Sequence, residues 1–399
     1  MSKTHLWQEE IVEANGLMTI SVTIENPQQN RQQLWYRIPT NYHSILTSSC
    51  DPFVIAIIFL AMNQGTDLMV HGEVSPSLLR NLEEFQIIWS AWKPEQYNII
   101  QINAETEKEQ ETILATEKAI SAFSGGVDSC FTAFRHSRGN CGRQKRNLKA
   151  GLMVHGFDIP VEQEEIFSRA AQKSQIMLSS LGMELIPIAT NFRKVIKLNW
   201  EDVFGTAIAS CLNLVKKGYN TGLIPASYAY RDITLPYGSN PVTDPLLSSK
   251  SFTIIYDGGK FGRLEKIKEI YNWDEALVNL RVCWQGEQKD RNCGRCEKCI
   301  RNILNFRALG YELPPCFPKD VTNKQIANLK LRGGSLDSME HILKLIKINQ
   351  ISGFWIKVLQ ATVLKNRILI NLEKMIPDSG KEKLRQLKFL LNNNLKHKR

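Results

Sequence analysis

A chain of 399 residues, 43% of them hydrophobic, is long enough for two or three domains with real cores. Its longest apolar run, FVIAIIFLAM at 53–62, is too short to span a bilayer, and nine cysteines, four of them crowded into 283–299, speak for a metal in a reducing compartment rather than a disulfide framework. The formal charge of +10 is uneven: residues 319–399 hold 17 Lys and Arg against 6 Asp and Glu, so the basicity belongs to the C-terminal region.

The polar opening MSKTHLWQEE does not read as a secretory signal, and we expect a soluble, cytoplasmic protein with no membrane partner. Alternating apolar and polar positions predict strands at 16–26 and 32–39. Asp51-Pro52 reads as N-cap and first residue of a buried helix to 63. A strand at DLMVHG, a helix opened by Ser75-Pro76 and a strand at NIIQINAE complete an α+β domain over 1–112. The acidic AETEKEQETILATEK reads as a linker or exposed connection.

From 119 the rhythm becomes strand, helix, strand. KAISAF, LKAGLMVHGFD, MELIPIATN and NTGLIPAS are near-continuous apolar strands, with amphipathic helices between them. That alternation predicts an α/β domain over 113–318 with a doubly wound, mostly parallel sheet covered on both faces. Ligands of such sheets sit beyond the carboxyl ends of the strands, so the glycine turn after KAISAF, HGFD, TNFR and PASYAYRD should converge on one crevice. The Pro- and Ser-rich stretch 238–252 reads as a loop, and apolar spacing through 339–376 predicts a helical C-terminal region over 319–399.

Two motifs carry chemistry. SGGVDS at 124–129 bends from a strand into a helix, where backbone N–H groups and the hydroxyls of Ser124 and Ser129 can cradle a phosphate. It has neither the spacing of a dinucleotide fingerprint nor the lysine of a Walker loop. The second is CWQGEQKDRNCGRCEKC: Cys283, Cys293, Cys296 and Cys299 satisfy a tetrahedral, closed and therefore structural zinc site, with an iron–sulfur cluster as competitor.

SGGVDS resembles the signature of the PP-loop ATP pyrophosphatases, which cleave ATP between its α and β phosphates and adenylate an oxygen. The resemblance implies that Ser124, Gly125, Gly126, Val127, Asp128 and Ser129 form the ATP site, with Asp128 steadying the loop or a Mg2+ ion. A PP-loop followed by Cys-Trp-x-Gly and Cys-Gly-x-Cys-x-x-Cys is similar to the 7-cyano-7-deazaguanine synthase (QueC) family, over roughly residues 117–310. That family activates 7-carboxy-7-deazaguanine with ATP, forms an amide with ammonia, and dehydrates it to a nitrile. VHGFDIPVEQ and LIPASYAYRD depart from the family's segments at those places, and the chain is extended at both ends. It therefore resembles the long paralogues of antiviral operons such as Qat and type IV CBASS, where a protein amine could capture the activated carboxylate.

Weaker candidates in the crevice are Asp158 for magnesium or ribose and Arg193 for a phosphate. Arg231, Asp232, Asp244 and Lys250 are candidates for the substrate. His155 reads as a packed histidine and Cys130 as a core thiol. The expectation is an ATP-dependent carbon–nitrogen ligase that uses Mg2+ and Zn2+, with an operon partner or protein substrate and an oligomer left open. The alternatives are a tRNA-modifying enzyme that docks RNA through its basic C-terminus, and a nucleotide-sensing module that has lost turnover.

Overall fold

The computed structural model describes residues 3–111 and 116–375, so the basic end of the chain and the middle of the acidic connection lie outside the described residues. Two compact units emerge. The first comprises 1–292 with 314–316, and the second 293–313 with 317–399.

The first unit is a mixed α/β structure built on one large, mostly parallel sheet. Its amino-terminal half holds β1 (Lys3–Gln8), β2 (Val12–Ala14), β3 (Leu17–Glu25), β4 (Arg31–Pro39), α1 (Asp51–Gln64), β5 (Asp67–Val74), α2 (Pro76–Trp92) and β6 (Ile102–Glu107). The following half alternates β7 (Ala119–Ala122), α3 (Val127–Arg138), β8 (Leu148–His155), α4 (Glu164–Ser180), β9 (Glu184–Thr190), α5 (Phe192–Val195), α6 (Trp200–Leu214), β10 (Thr221–Pro225), β11 (Thr253–Asp257), α7 (Arg263–Ile270) and α8 (Asp274–Asn279). Strand order is β11-β10-β7-β8-β9-β4-β3-β1-β5-β6, with β2 paired to β3.

Residues 1–112, expected as a separate domain, instead extend this sheet. β4 pairs antiparallel with β9 through Tyr36↔Thr190 and Arg37↔Ala189, and Tyr36 reaches Ser210 of α6 with a 2.8 Å hydroxyl hydrogen bond. One core therefore joins α1 to α6, and it includes Ile120, Leu152 and Ile186 from the parallel strands. Gly151 points to the other face, where an added Cβ would meet Leu178 of α4 at 2.6 Å. Helices thus cover the parallel half on both faces, because alternate residues of each strand point oppositely.

Almost every residue of α1 is buried, which is why its sequence is apolar all round. Its N-cap is Cys50, not Asp51 as the sequence suggested. Asp51 is wholly buried, accepts hydrogen bonds from Ser75 N (2.8 Å) and Oγ (2.6 Å), and pairs with Lys216. Three strands escaped the sequence reading, among them the short, exposed β2 beside β3. β1 lies in the polar opening, where only Thr4 and Leu6 face the core, and β11 lies at the end of the supposed loop.

The second unit holds α9 (Glu297–Ala308), α10 (Asn323–Ala327), α11 (Gly334–Ile348) and α12 (Phe354–Met375), the last two where the apolar spacing predicted helix. Ile303, Phe306, Ile326, Met339, Ile342 and Leu359 are among its buried residues. The break between the units falls at 292–293 rather than at 318. No helix among the described residues is long and apolar enough to cross a membrane.

Candidate functional site

The five parallel strands run β11-β10-β7-β8-β9, so the chain moves from β7 in one direction to β9 and then returns to the other side of β7. Connections leave β7 and β10 in opposite directions, and the crevice between their carboxyl ends is where open α/β sheets take ligands. Ser124–Ser129 leaves β7 at that point, as the sequence predicted.

Gly125 has φ +73°, and a Cβ there would sit 3.3 Å from Ser174 Oγ, so glycine serves both the backbone and the space. Gly126 is the N-cap of α3 and offers no side chain to cover the first helical turn. The first N–H groups of a helix have no partner within it, and the helix dipole makes this end attractive to anions. Ser129 Oγ accepts from Ser124 N at 3.3 Å and donates to Gly126 O at 3.0 Å, while Gly126 N donates to Ser124 Oγ at 3.3 Å. The two hydroxyls thereby shape the bend.

Asp128, in the first turn of α3, makes two ion pairs with α7. Arg263 Nη2 lies 2.9 Å from its Oδ2 and Lys266 Nζ lies 2.9 Å from its Oδ1. Lys266 is buried and also donates to Ala226 O, at the end of β10, so one ammonium ties together both strands of the switch point. Burial pulls the Lys266 pKa down, and Asp128 opposes that pull. Next to it, Asp257 ends β11 and accepts from Thr132 (2.7 Å), Arg135 (2.8 Å) and His136 (3.1 Å). Burial raises the Asp257 pKa, but the His136 hydrogen bond and the Arg135 charge outweigh it and hold the carboxyl below its ordinary value.

Arg281 fixes the loop from the other side. Its backbone N donates to Gly125 O at 2.7 Å, and its guanidinium donates to Ser124 O through Nε (3.2 Å) and Nη2 (3.0 Å). The same Nη2 lies 3.7 Å from Asp158 Oδ2, which links the loop to a cavity of about 280 Å³ at the carboxyl ends of β8 and β9. Gly156, Asp158, Asn191, Arg193, Trp284 and Lys289 line this cavity. Gly156 has no alternative there, because a Cβ would lie 2.0 Å from Thr190 O.

The cavity brings Asp158 and Arg193 together. Arg193 donates to Phe157 O at 3.1 Å and lies over the Trp200 ring at 4.5 Å. Arg231 and Asp232 stand on the β10 side of the crevice, where Arg231 pairs with Glu265 of α7 at 3.0 Å. Two candidates lie elsewhere. Asp244 is wholly buried and accepts from Ser239 Oγ (2.6 Å) and Asn240 N (3.0 Å), closing its own loop, with its pKa pushed up to about 7 by burial. Lys250 precedes β11, at the amino end of the strand and away from the carboxyl-end crevice, and its backbone N donates to Ser77 Oγ at 2.8 Å. The reason is shared: 238–252 is not one loop over the crevice but the return path that feeds β11 at its amino end. His155 is packed on Phe167 with its pKa lowered by burial, and Cys130 is a core thiol, both as expected.

Lys266, Arg263, Arg281 and Asp257 escaped the sequence reading. Three of them follow or end β11, so the rule about strand ends would have found them had that strand been recognised. Arg281 carried no signal.

The thiols of Cys283, Cys293, Cys296 and Cys299 lie within 4.8 Å of one another and can hold a metal ion such as zinc. Gly294, at φ +66°, turns the chain between Cys293 and Cys296. Cys296 N donates to Cys293 Sγ at 3.3 Å and Cys299 N to Cys296 Sγ at 3.4 Å, and such donors favour the thiolate form that metals require. The donor set is all sulfur, which fits zinc. Just before it, buried Asn292 accepts from Val282 N (2.8 Å) and Cys283 N (3.2 Å) and donates to Leu280 O (2.8 Å) and Cys316 O (3.1 Å).

Comparison of the chain with protein-family models, curated proteins and solved structures finds no match.

Proposed function

We propose that the switch-point loop holds the phosphate tail of ATP and that the protein is an AMP-forming carbon–nitrogen ligase. The observation that carries this reading is the placing of Ser124–Ser129 at the β7 carboxyl end, opening α3 with a glycine N-cap. The first turn of α3 and the hydroxyl of Ser124 bind the β and γ phosphates, while Ser129, whose hydroxyl donates to Gly126 O, holds the bend that presents them. Arg263 and Lys266 add positive charge where pyrophosphate departs. A substrate carboxylate oxygen attacks the α phosphorus, the α–β bridging bond breaks, and pyrophosphate leaves. A nitrogen nucleophile then attacks the acyl carbon, expels AMP and loses a proton, leaving an amide.

The cavity beside the loop suits the acyl substrate. Trp284, 49% exposed, offers a flat face, while Arg193 and Lys289 offer cations to a carboxylate. The resemblance suggests 7-carboxy-7-deazaguanine, with ammonia or a protein amine as nucleophile in an antiviral setting. Magnesium would shield phosphate charge. Asp128 does not fit as its ligand, because two cations already engage that carboxylate, and exposed Asp158 is the better donor. Zinc in the thiol cluster has a structural role, since four thiolates leave no open position.

Purified protein incubated with ATP, Mg2+, 7-carboxy-7-deazaguanine and candidate amines should yield AMP, pyrophosphate and an amide adduct by mass spectrometry. ADP as the sole nucleotide product would refute it. The basic balance of residues 319–399 supports a second reading, adenylation of a tRNA base. That reading demands tRNA binding with a steep salt dependence, whereas adenylation of a free carboxylate should be insensitive to salt.

A further inference from the structure

Far from the switch point, the sheet register gathers a second constellation. β1 pairs in parallel with β5, placing Trp7 opposite His71, and β5 in turn pairs with β6, which carries Glu105. His5, Trp7, His71 and Glu105 share the face opposite to Leu6 and Val70, which point into the core. That face is open to solvent, with Trp7 39% exposed.

Within it, His5 Nδ1 lies 2.9 Å from His71 Nε2, and His71 Nδ1 lies 2.6 Å from Glu105 Oε1. A carboxylate can only accept, so His71 carries its proton on Nδ1 and, as a neutral ring, turns the Nε2 lone pair towards His5. Trp7 stacks on the His71 ring at 3.4 Å with an interplanar angle of 1°, fixing its plane. A carboxylate on the far nitrogen of an imidazole is the arrangement that orients metal-binding histidines and raises their basicity.

The spacing is compatible with a cation that takes ligands at right angles. Two nitrogens each about 2.05 Å from one ion stand about 2.9 Å apart at a right angle and about 3.3 Å apart at a tetrahedral angle. The separation here is 2.9 Å, a hydrogen bond in which His5 Nδ1 donates to His71 Nε2, so a cation binds by displacing that proton. We propose that His5 and His71 form a site for a divalent transition cation that takes ligands at right angles, Ni2+ or Cu2+, with Glu105 orienting His71 and water filling the other positions. Tetrahedral zinc is served by the thiols instead. The inference is independent of the ligase reading, since no ATP-site residue takes part.

The test uses the full chain without an affinity tag, its thiol cluster first saturated with zinc, and Ni2+ as the probe. Calorimetry should show one Ni2+ per chain at micromolar free metal, with Trp7 emission quenched in step. His5→Gln and His71→Gln should each abolish binding. Glu105→Gln, at a half-exposed position that tolerates change, should weaken it by about ten- to a hundredfold. Unaltered circular dichroism would show that each variant folds. The proposal is overturned if the zinc-loaded protein takes up no Ni2+, or if the His5→Gln/His71→Gln double variant binds it as tightly as the native chain.

Discussion

The Lys266 ammonium and the Asp128 carboxylate meet 2.9 Å apart at the switch point, the lysine fully buried and the aspartate partly open to solvent. Breaking such a pair from one side costs more than removing the buried charge. Asp128→Asn should therefore destabilise the protein by about 3 kcal/mol in urea denaturation, because it strands the ammonium, whereas Lys266→Met, similar in volume, should be nearly neutral. Both should stop pyrophosphate release. A Lys266→Met protein that unfolds more readily than Asp128→Asn would show that the lysine acts through packing rather than charge.

Arg281 makes two side-chain hydrogen bonds to Ser124 O and one from its backbone to Gly125 O. Arg281→Met keeps the backbone bond and loses the others. The stability loss should stay within about 1–2 kcal/mol. Turnover of labelled ATP should fall roughly a hundredfold, since small displacements of a binding loop are costly to catalysis. Arg281→Lys should recover only part of that, as a point charge cannot reproduce the planar fork. Native turnover in Arg281→Met would remove the loop from the reaction.

Asp244 supplies a pH signature. Its folded pKa, about 7, stands above its ordinary value of 3.8, so the native state binds the extra proton between those limits. Stability should accordingly fall as pH rises from about 4 to 7, then level off. Asp244→Asn keeps the shape without the charge and should flatten this slope, with its largest gain over the native chain at pH 8. Because Asp244 is buried within its own loop, ATP turnover should not change. Denaturant midpoints at pH 5 and pH 8 decide the matter, and equal slopes for both proteins would contradict it.

Asn292 holds the chain at Cys283 through four hydrogen bonds. Asn292→Ala leaves buried backbone groups unpaired, at a cost of about 2–4 kcal/mol, and should weaken zinc retention against a chelator. Complete zinc removal should lower the melting temperature of the native chain without abolishing ATP binding. If melting is unchanged in the metal-free protein, the thiol cluster is not a structural metal centre.

How much of this was legible in the sequence differs from element to element. The SGGVDS bend, its flanking strand and helix, and the four cysteines stood out because each depends on residues adjacent in the chain. Glycine at φ +73°, a helix start and Cys-x-x-Cys spacing are local necessities. The apolar strands β7 to β10 were equally plain, since a strand buried on both faces has to be apolar throughout.

What stayed hidden depends on partners distant in sequence. β1 reads as a polar opening because only one of its faces meets the core, and β11 hides behind a loop because five residues carry little pattern. Neither Lys266 nor Arg281 shows in the sequence what it will meet 138 and 157 residues away. Local backbone chemistry is written in neighbouring residues, so the bend, the helices and the thiol spacing belong to the sequence alone. The strand order, the single sheet shared by β1–β6 and β7–β11, the cations at the bend and the His5–His71 pair arise only when strands find their register, because hydrogen-bonded pairing, not chain proximity, selects those neighbours.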